Sequence, residues 1–500
     1  MEHMGKSEGY GIIFKTTFLF GFVQVFNILV KVVINKIVAL FLGSGGMGVI
    51  GLYNSSVNML KIGAGLGISQ SAVRDISEAN SSNDHKRFSF FISLTKNVVW
   101  LTAILGLFLT IVLAPYLSKW SFNDNEHIVA YLWLSIVVAI NIISEGQLAI
   151  LKGMRQLRAL AKATLYGSLV GIISAVPFYY FFRENGIIPS MFITAFTSLF
   201  FSNLFVSRID YERIRISIKE TFIESAPMVK MGFSLMIVSF VASLFDLIIS
   251  SYINHSGGIS DVGLYHAGAT IITSYFGVII TSMSTDYYPR ISAVHNDNAK
   301  LEGEMNRQSE TGLVLAFPLV ILFVFLSSFF IKLLYTDSFI KANEYTDYAM
   351  IGTVIIIVSN CMGMILLAKQ ASRVFLFSVI GQRFVSLAVF MVLYKFMGLK
   401  GLGFAYVFHG TLHLVTMMFI LHHFYSIHLN RRVWGLLLGV LLLTVLTIFF
   451  RSIDNYVLKY SLGTLSLFLA SMTSVYYMKY IMGIDMLLYL KNRLINNKHE

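Results

Sequence analysis

The sequence has few of the residues that cross-link, interrupt or solvate a soluble protein. Its 500 residues include 1 cysteine and 6 prolines, and only 13% of them are charged. The single cysteine, Cys361, excludes an intrachain disulfide framework, and no proline-rich stretch divides the chain. Hydrophobic residues make up 56% of the chain and the mean hydropathy is +0.72. This is more apolar surface than a soluble core can use, so the composition predicts a membrane protein.

Several functional classes also lack their usual signatures. No Walker-type glycine–lysine loop is present, which argues against ATP hydrolysis by this chain. The net charge of +12 lies in short loops rather than in a basic stripe with interleaved aromatics, which argues against nucleic acid. The predicted external loops are short and hold no acid–base set, which argues against a membrane polymerase or ligase. We therefore expect no enzyme activity, no cofactor and no nucleic-acid partner.

The apolar residues fall into about 14 runs, each long enough to cross a bilayer. The runs lack the alternating polar face of a barrel strand, so we predict helices. No removable signal peptide precedes the first run. Placing the N-terminus inside puts about two dozen Lys and Arg in the cytoplasm against eight or nine outside, as the positive-inside rule requires. The sequence thus predicts an all-α, polytopic membrane protein with about 14 transmembrane helices and both termini in the cytoplasm.

A weak internal repeat organises these predicted spans. The tripeptide Gly51-Leu52-Tyr53 opens the second span, and Gly263-Leu264-Tyr265 opens the eighth at the same predicted depth. A shift of about 212 residues maps the first six spans onto the next six without exchanging inside for outside, which indicates parallel repeats. The predicted organisation is two six-helix bundles (1–207 and 229–425), a cytoplasmic linker (208–228), an additional helix pair (433–481) and a cytoplasmic tail (482–500).

Basic residues inside apolar runs are the strongest functional signal. Lys61 lies near the middle of the run 48–69, and Arg383 lies equally deep between Phe375 and Tyr394. A cation at the bilayer centre costs about 2.5–3.5 kcal/mol on insertion scales, so it should face a wet cavity or a counter-charge. Lys31 occupies the outer half of its span and is explained equally well by snorkelling to the headgroups. A polytopic protein with cations at this depth is typical of a carrier of anionic cargo.

Polar residues accompany these cations at helical spacing. Gln24, Asn27 and Lys31 share one face of the first span, and Asn54 and Lys61, seven residues apart, share one face of the second. Gln382 stands beside Arg383. We predict that these seven residues line a cavity, with the three cations as phosphate ligands. The alternative for the amides is hydrogen bonding between helices.

Two buried acids and a histidine pair are candidates for energy coupling. Glu145 and Asp246 lie in apolar surroundings, where desolvation would favour protonation near neutral pH. The alternative is a permanent ion pair of either acid with Lys61 or Arg383. His409 and His413 are four residues apart and could carry a proton; without an acidic partner on the same face they are weak evidence for a metal. Glu145, Asp246 and His413 are therefore predicted coupling residues, and no metal site is predicted.

Short glycine-based motifs resemble those of a known family. Leu42-Gly43-Ser44-Gly45-Gly46-Met47-Gly48 is similar to the Leu-Gly-x-x-Gly-x-Gly turn of polysaccharide-export flippases. Asp261-Val262-Gly263-Leu264-Tyr265 and Tyr287-Tyr288-Pro289-Arg290-Ile291-Ser292 resemble the corresponding stretches of O-antigen and enterobacterial-common-antigen translocases. The resemblance extends from the first span to about the twelfth. It identifies the polysaccharide transporter branch of the multidrug/oligosaccharidyl-lipid/polysaccharide (MOP) exporters.

The resemblance implies a fold, a cargo and a set of partners. The implied fold is a MATE-like V of two six-helix bundles around a central cavity, and the extra C-terminal helix pair is usual in such Wzx-type flippases. The implied cargo is an undecaprenyl-pyrophosphate-linked oligosaccharide, such as an O-antigen repeat unit, flipped across the bacterial inner membrane. Membrane lipids, a polysaccharide polymerase and chain-length proteins are candidate partners. The competing hypothesis is a MATE-type multidrug/cation antiporter, whose cavity should be dominated by acids and aromatics.

Overall fold

The computed structural model describes the backbone of residues 2–82 and 84–481. Side chains are described over the same ranges, apart from residues 2–27, 234, 235, 282, 284, 285 and 481. The described part is helical and contains no β-strand. This confirms the predicted all-α class. The predicted tail, 482–500, lies outside the described residues.

The chain forms two compact units. Unit 1 runs to His266 and includes the short segment Leu334–Thr336, and unit 2 comprises Ala267–Leu333 and the chain from Asp337 onward. Unit 1 contains α1 (Glu2–Gly65), α2 (Ile68–Ser81), α3 (His85–Phe122), α4 (Ile128–Gly153), α5 (Leu157–Phe182), α6 (Ile187–Val206), α7 (Ile218–Gly257) and the start of α8 (Ile259–Thr270). Unit 2 contains α9 (Gly277–Ala293), α10 (Asn298–Phe325), α11 (Ser327–Leu334, whose last residue belongs to unit 1), α12 (Asn343–Ala368), α13 (Ser372–Tyr425), α14 (Arg431–Arg451) and α15 (Tyr456–Tyr476).

Ten helical stretches of the described chain are long and apolar enough to cross a membrane. Four of them, each of 38 residues or more, are far longer than the roughly 20 residues that one crossing needs: Ile28–Gly65, His85–Phe122, Leu157–Val206 and Ser372–Tyr425. The chain is therefore a multi-pass membrane protein, and the total of about 14 spans stays a prediction. The predicted boundaries of bundles and linker likewise stay predictions.

Glycine explains the bend in the first long helix. Gly43, in the glycine-rich motif, has φ 64° and ψ −164°, a conformation that other residues rarely adopt. The same motif then packs closely on α8. A Cβ on Gly263 would come within 1.9 Å of the carbonyl oxygen of Ser44, and Ser44 also hydrogen-bonds Ser260 at 2.6 Å. Two of the three motifs that carry the family resemblance thus form one close backbone contact inside unit 1.

Polar side chains on α3 hold the segment that leads from α6 to α7. Ser89 Oγ accepts from the N–H of Glu212 and Ser93 Oγ accepts from that of Ile214, both at 3.2 Å. Asn97 donates to the carbonyl of Ile216 at 3.3 Å. These three side chains are four residues apart and share one helical face. We call residues 212–216 the first exit segment.

Unit 2 repeats this arrangement with α10 and the segment between α13 and α14. Glu302 accepts from the backbone N–H of His428 at 2.8 Å, and Asn306 bonds both the carbonyl of His428 and the N–H of Asn430. Glu310 accepts from the side chain of Asn430 at 3.2 Å. We call residues 428–430 the second exit segment. The three α10 residues follow their α3 counterparts by 213 positions each, which matches the shift of about 212 that the sequence repeat predicts.

Candidate functional site

Unit 1 contains a polar cavity of about 340 Å³ between α1, α4 and α7. The polar groups that line it include Asn54, Asn58, Lys61, Asn141 and Asp246. Asn54 and Asn58 are exposed toward it, and Asn58 donates to Ser243 at 3.0 Å, which ties α1 to α7. The structure therefore brings Asn54, Lys61 and Asp246, all predicted site residues, to one cavity.

Lys61 forms an ion pair inside this site. Its Nζ lies 2.6 Å from Oε1 of Glu145, and the two side chains are 20% and 46% exposed. The pairing is thus the alternative that the sequence left open, but beside a cavity rather than in lipid. An ion pair this exposed contributes about 0–1 kcal/mol to stability. Separating the two side chains therefore costs little free energy.

Lys61 also lies nearer to a helix end than its apolar run suggests. The helix ends at Gly65, four residues further on, where Leu66 and Gly67 take positive φ angles. At 1.5 Å per residue the Lys61 backbone is about 6 Å from the helix end. The run 48–69 is thus not one helix, since it continues across this turn into the start of α2, and the mid-run position of Lys61 is not a mid-helix position.

The remaining predicted residues of the first span are only partly described. Lys31 is exposed and forms no ion pair with any described side chain. That position suits snorkelling and cavity lining equally. Gln24 and Asn27 belong to residues 2–27, whose side chains lie outside the described part. Their predicted role in the cavity stays a prediction.

Arg383 in unit 2 has a different environment. It lies eleven residues after the start of α13 and fifteen before the break at Gly398, where φ is 59°. It is half-buried, and among the described side chains it pairs with no carboxylate. The guanidinium is near enough to His409, His413 and Tyr406 to act on each electrostatically. Arg383 is therefore a cation at mid-helix depth without a neutralising acid.

Neutral polar groups surround this guanidinium. The Ser386 hydroxyl is 2.8 Å from Nδ1 of His409. The neighbouring Gln382 is buried, and its Nε2 has no hydrogen-bond partner. Such a donor is costly to leave unsatisfied. The described neighbours of Arg383 thus supply hydrogen-bond donors and a positive charge, a combination suited to an anion.

The sequence pattern missed two functional features. Asn58 completes the polar face of Asn54 and Lys61, and its i+4 spacing from Asn54 was the available signal. The second is a buried ion pair in unit 2. Arg451 of α14 donates to Oδ1 of Asp347 at 2.8 Å and also bonds Oδ2, and the two side chains are 19% and 4% exposed. No periodicity links these residues, because they lie 104 positions apart on different helices.

Comparison with known proteins identifies the family of this chain. The profile of the polysaccharide biosynthesis protein family matches residues 37–344, more than half of the chain. The chain belongs to this family. The match includes the glycine-rich motif, the polar cavity and α8. No curated protein matches the sequence.

Solved structures share the fold of this family member at low identity. The lipid II flippase MurJ, in an inward closed conformation, is 14% identical with a TM-score of 0.71 over 94% of this chain and 100% of that one. An inward-facing multidrug resistance MATE transporter of the MOP superfamily is 16% identical, with a TM-score of 0.60 over 83% and 95%. A MOP superfamily transporter from Pyrococcus furiosus is 15% identical, with a TM-score of 0.56 over 84% and 96%. The chain therefore has the MOP transporter fold.

Proposed function

We propose that this chain is a flippase for undecaprenyl-pyrophosphate-linked oligosaccharide, such as an O-antigen repeat unit. It moves the headgroup from the cytoplasmic to the periplasmic leaflet of a bacterial inner membrane by alternating access, with both termini in the cytoplasm. The family is described by polysaccharide biosynthesis, and one protein of the same fold flips lipid II. Both support a lipid-linked sugar as cargo.

The observation that carries the proposal is the environment of Arg383. A guanidinium midway along an apolar helix is costly without compensation, and no described carboxylate provides it. A pyrophosphate would supply the missing negative charge and accept hydrogen bonds from the planar guanidinium. The amide of Gln382, on the preceding residue of the same helix, is a further donor without a partner. Binding of the cargo headgroup would therefore satisfy groups that the protein alone leaves unsatisfied.

The second candidate is a cation antiporter of the MATE type. It is favoured by the two carboxylates at the polar cavity of unit 1, Glu145 and Asp246, and by the fold. Glu145, however, is already paired with Lys61 at 2.6 Å, and Arg383 would repel a cationic drug. In the P. furiosus protein, reverse polarity of the binding pocket is taken to suggest a different function. The charge of Arg383, which no described carboxylate neutralises, favours an anion here.

Gene inactivation in the native bacterium tests the proposal. Loss of the flippase should cause undecaprenyl-linked repeat units to accumulate on the cytoplasmic face, measured by lipid extraction and mass spectrometry. Surface polysaccharide should fall in parallel. Unchanged lipid-linked pools together with new sensitivity to cationic drugs would instead establish the antiporter. Complementation with the unaltered gene controls for effects on neighbouring genes.

A further inference from the structure

A second, larger cavity lies at another end of unit 1. Its volume is about 800 Å³, within the range of about 300–1,000 Å³ for small-molecule sites. Aromatic side chains from four helices line it: Tyr53 of α1, Trp133 of α4, Phe178 of α5 and Phe192 of α6. It shares no lining residue with the polar cavity around Lys61. The charge bias of the loops predicts that this end faces outside.

Its polar groups come from the two turns at this end. Glu126 and His127 precede α4, and Glu184 and Asn185 lie between α5 and α6. Partial burial lowers the pKa of His127, outweighing the opposing effect of Asp124 and Glu126. No Lys or Arg is among the described residues that line the cavity. The lining thus combines aromatic faces with carboxylate and amide acceptors and has no cation for a phosphate.

The aromatic wall is held in place by contacts of its own. The Tyr53 ring meets Tyr131 edge-on at 5.6 Å and also contacts Phe122 at 5.2 Å. Tyr131 is fully buried, and its hydroxyl bonds Ser56 at 2.9 Å and Ser121 at 3.1 Å. Fixed side chains lose little entropy when a ligand binds. Tyr53 is therefore a fixed part of the cavity wall.

We propose that this cavity is a glycan-binding site that receives sugar rings of the exported oligosaccharide. The apolar face of a sugar ring packs on Trp133 and Tyr53, while its hydroxyls donate to Glu126 and Glu184. The inference rests on the proposed function, but it concerns the sugars and not the pyrophosphate. The negative rim repels phosphate, so the two parts of the cargo have separate sites. Glycan held at the outer end would make return of the headgroup to the cytoplasm less favourable.

Binding of a lipid-free, phosphate-free glycan tests the assignment. The probe is the oligosaccharide released by mild acid from the strain's own lipid-linked repeat units and then dephosphorylated. The full-length protein is held in nanodiscs of phosphatidylethanolamine and phosphatidylglycerol, and binding is followed by saturation-transfer NMR. Glu184→Gln should weaken binding at least about tenfold, since one hydrogen bond to a charged group has roughly that effect. Trp133→Ala should also weaken it, because it removes the apolar surface on which the sugar ring packs.

Matched variants complete the experiment. Trp100 is 57% exposed, as is Trp133, so Trp100→Ala controls for loss of an exposed indole. Glu344, exposed on α12, provides Glu344→Gln as the carboxylate control. Equal binding by the cavity variants and these controls would overturn the glycan site. So would an acyl chain found in the cavity of the nanodisc protein that the probe does not displace. Failure of the proposed function is a separate result, since it would show as unchanged lipid-linked pools after gene inactivation.

Discussion

The predicted substrate cations of the two units have different environments. In unit 1, Lys61 lies four residues from the end of its helix and is neutralised by Glu145 at 2.6 Å. In unit 2, Arg383 lies eleven residues into its helix and meets no described carboxylate. The polar cavity of unit 1 also carries Asp246, whereas neutral groups surround Arg383. The position of a cation along its helix and its pairing with an acid, and not its charge alone, therefore decide whether it is available to bind an anion.

A third cation, Arg451, has a structural role. Arg451 bonds both carboxylate oxygens of Asp347, Ser327 and the carbonyl of Val324. The pair fixes the end of α14 to α12, and Asp347 is almost fully buried. In unit 2 the donors of Arg451 are thus engaged by the protein, whereas Arg383 pairs with no described acid. The comparison predicts opposite consequences for their removal.

Breaking the buried pair should have the largest effect, and it should be on stability. Asp347→Asn leaves Arg451 uncompensated in a buried position, which typically costs about 3–5 kcal/mol. We expect a clear fall in the unfolding temperature of the detergent-purified protein and poor accumulation in the membrane. Asp337→Asn is the control, because its pair with Lys332 is exposed and its loss should cost about 0–1 kcal/mol. Equal unfolding temperatures for both variants would contradict a structural role for Arg451.

Removing Arg383 should instead affect transport. Arg383→Gln takes away charge-assisted hydrogen bonds to the cargo, so we expect export to fall about tenfold to a hundredfold with little loss of stability. Arg383→Lys keeps the charge but not the planar donor geometry and should retain part of the activity. Surface glycan and accumulated lipid-linked repeat units are the measurements. Arg373→Gln, an exposed residue on the same helix, is the control. Normal glycan in Arg383→Gln cells would remove this residue from the site.

A smaller effect is expected when the hydrogen bonds to the two exit segments are removed, and it tests whether the two segments are equivalent. Asn306 makes two hydrogen bonds to the second exit segment, whereas Ser93 makes one to the first. At about 0.5–1.5 kcal/mol for each bond, Asn306→Ala should destabilise the protein about twice as much as Ser93→Ala. Thermal unfolding of both variants and of their double mutant gives the comparison. Additive losses are expected, since the two segments belong to different units. A larger loss for Ser93→Ala would show that the two segments are not equivalent.

The sequence predicted helices and repeats better than contacts. Apolar runs give helices directly, and the 213-residue shift appears because both units place polar side chains at the same spacing. The turn formed by Leu66 and Gly67 close to Lys61 was not predicted, because hydropathy does not register a turn inside an apolar run. The partner of Arg451 could not be found, since pairs between distant helices leave no local pattern. Candidate site residues were chosen by type and periodicity, which do not specify whether a charge is already paired.

The smallest expected effect concerns the Lys61–Glu145 pair. Lys61→Glu combined with Glu145→Lys reverses the pair, so stability should stay within about 1 kcal/mol of the original, as for exposed ion pairs generally. If Lys61 only neutralises Glu145, transport should also return in the double variant. Both single variants should be impaired, because each places two like charges side by side at the cavity.

Transport by the double variant decides between a pairing role and a direct one. If Lys61 contacts the cargo phosphate, or Glu145 exchanges a proton during the cycle, reversing the pair moves each group to the wrong helix, and stability returns without transport. Lys86→Glu, on the exposed start of α3 with no side-chain partner among the described residues, controls for added negative charge. Full export by the reversed pair would show that Lys61 has only a structural role. Arg383 would then be the main phosphate ligand.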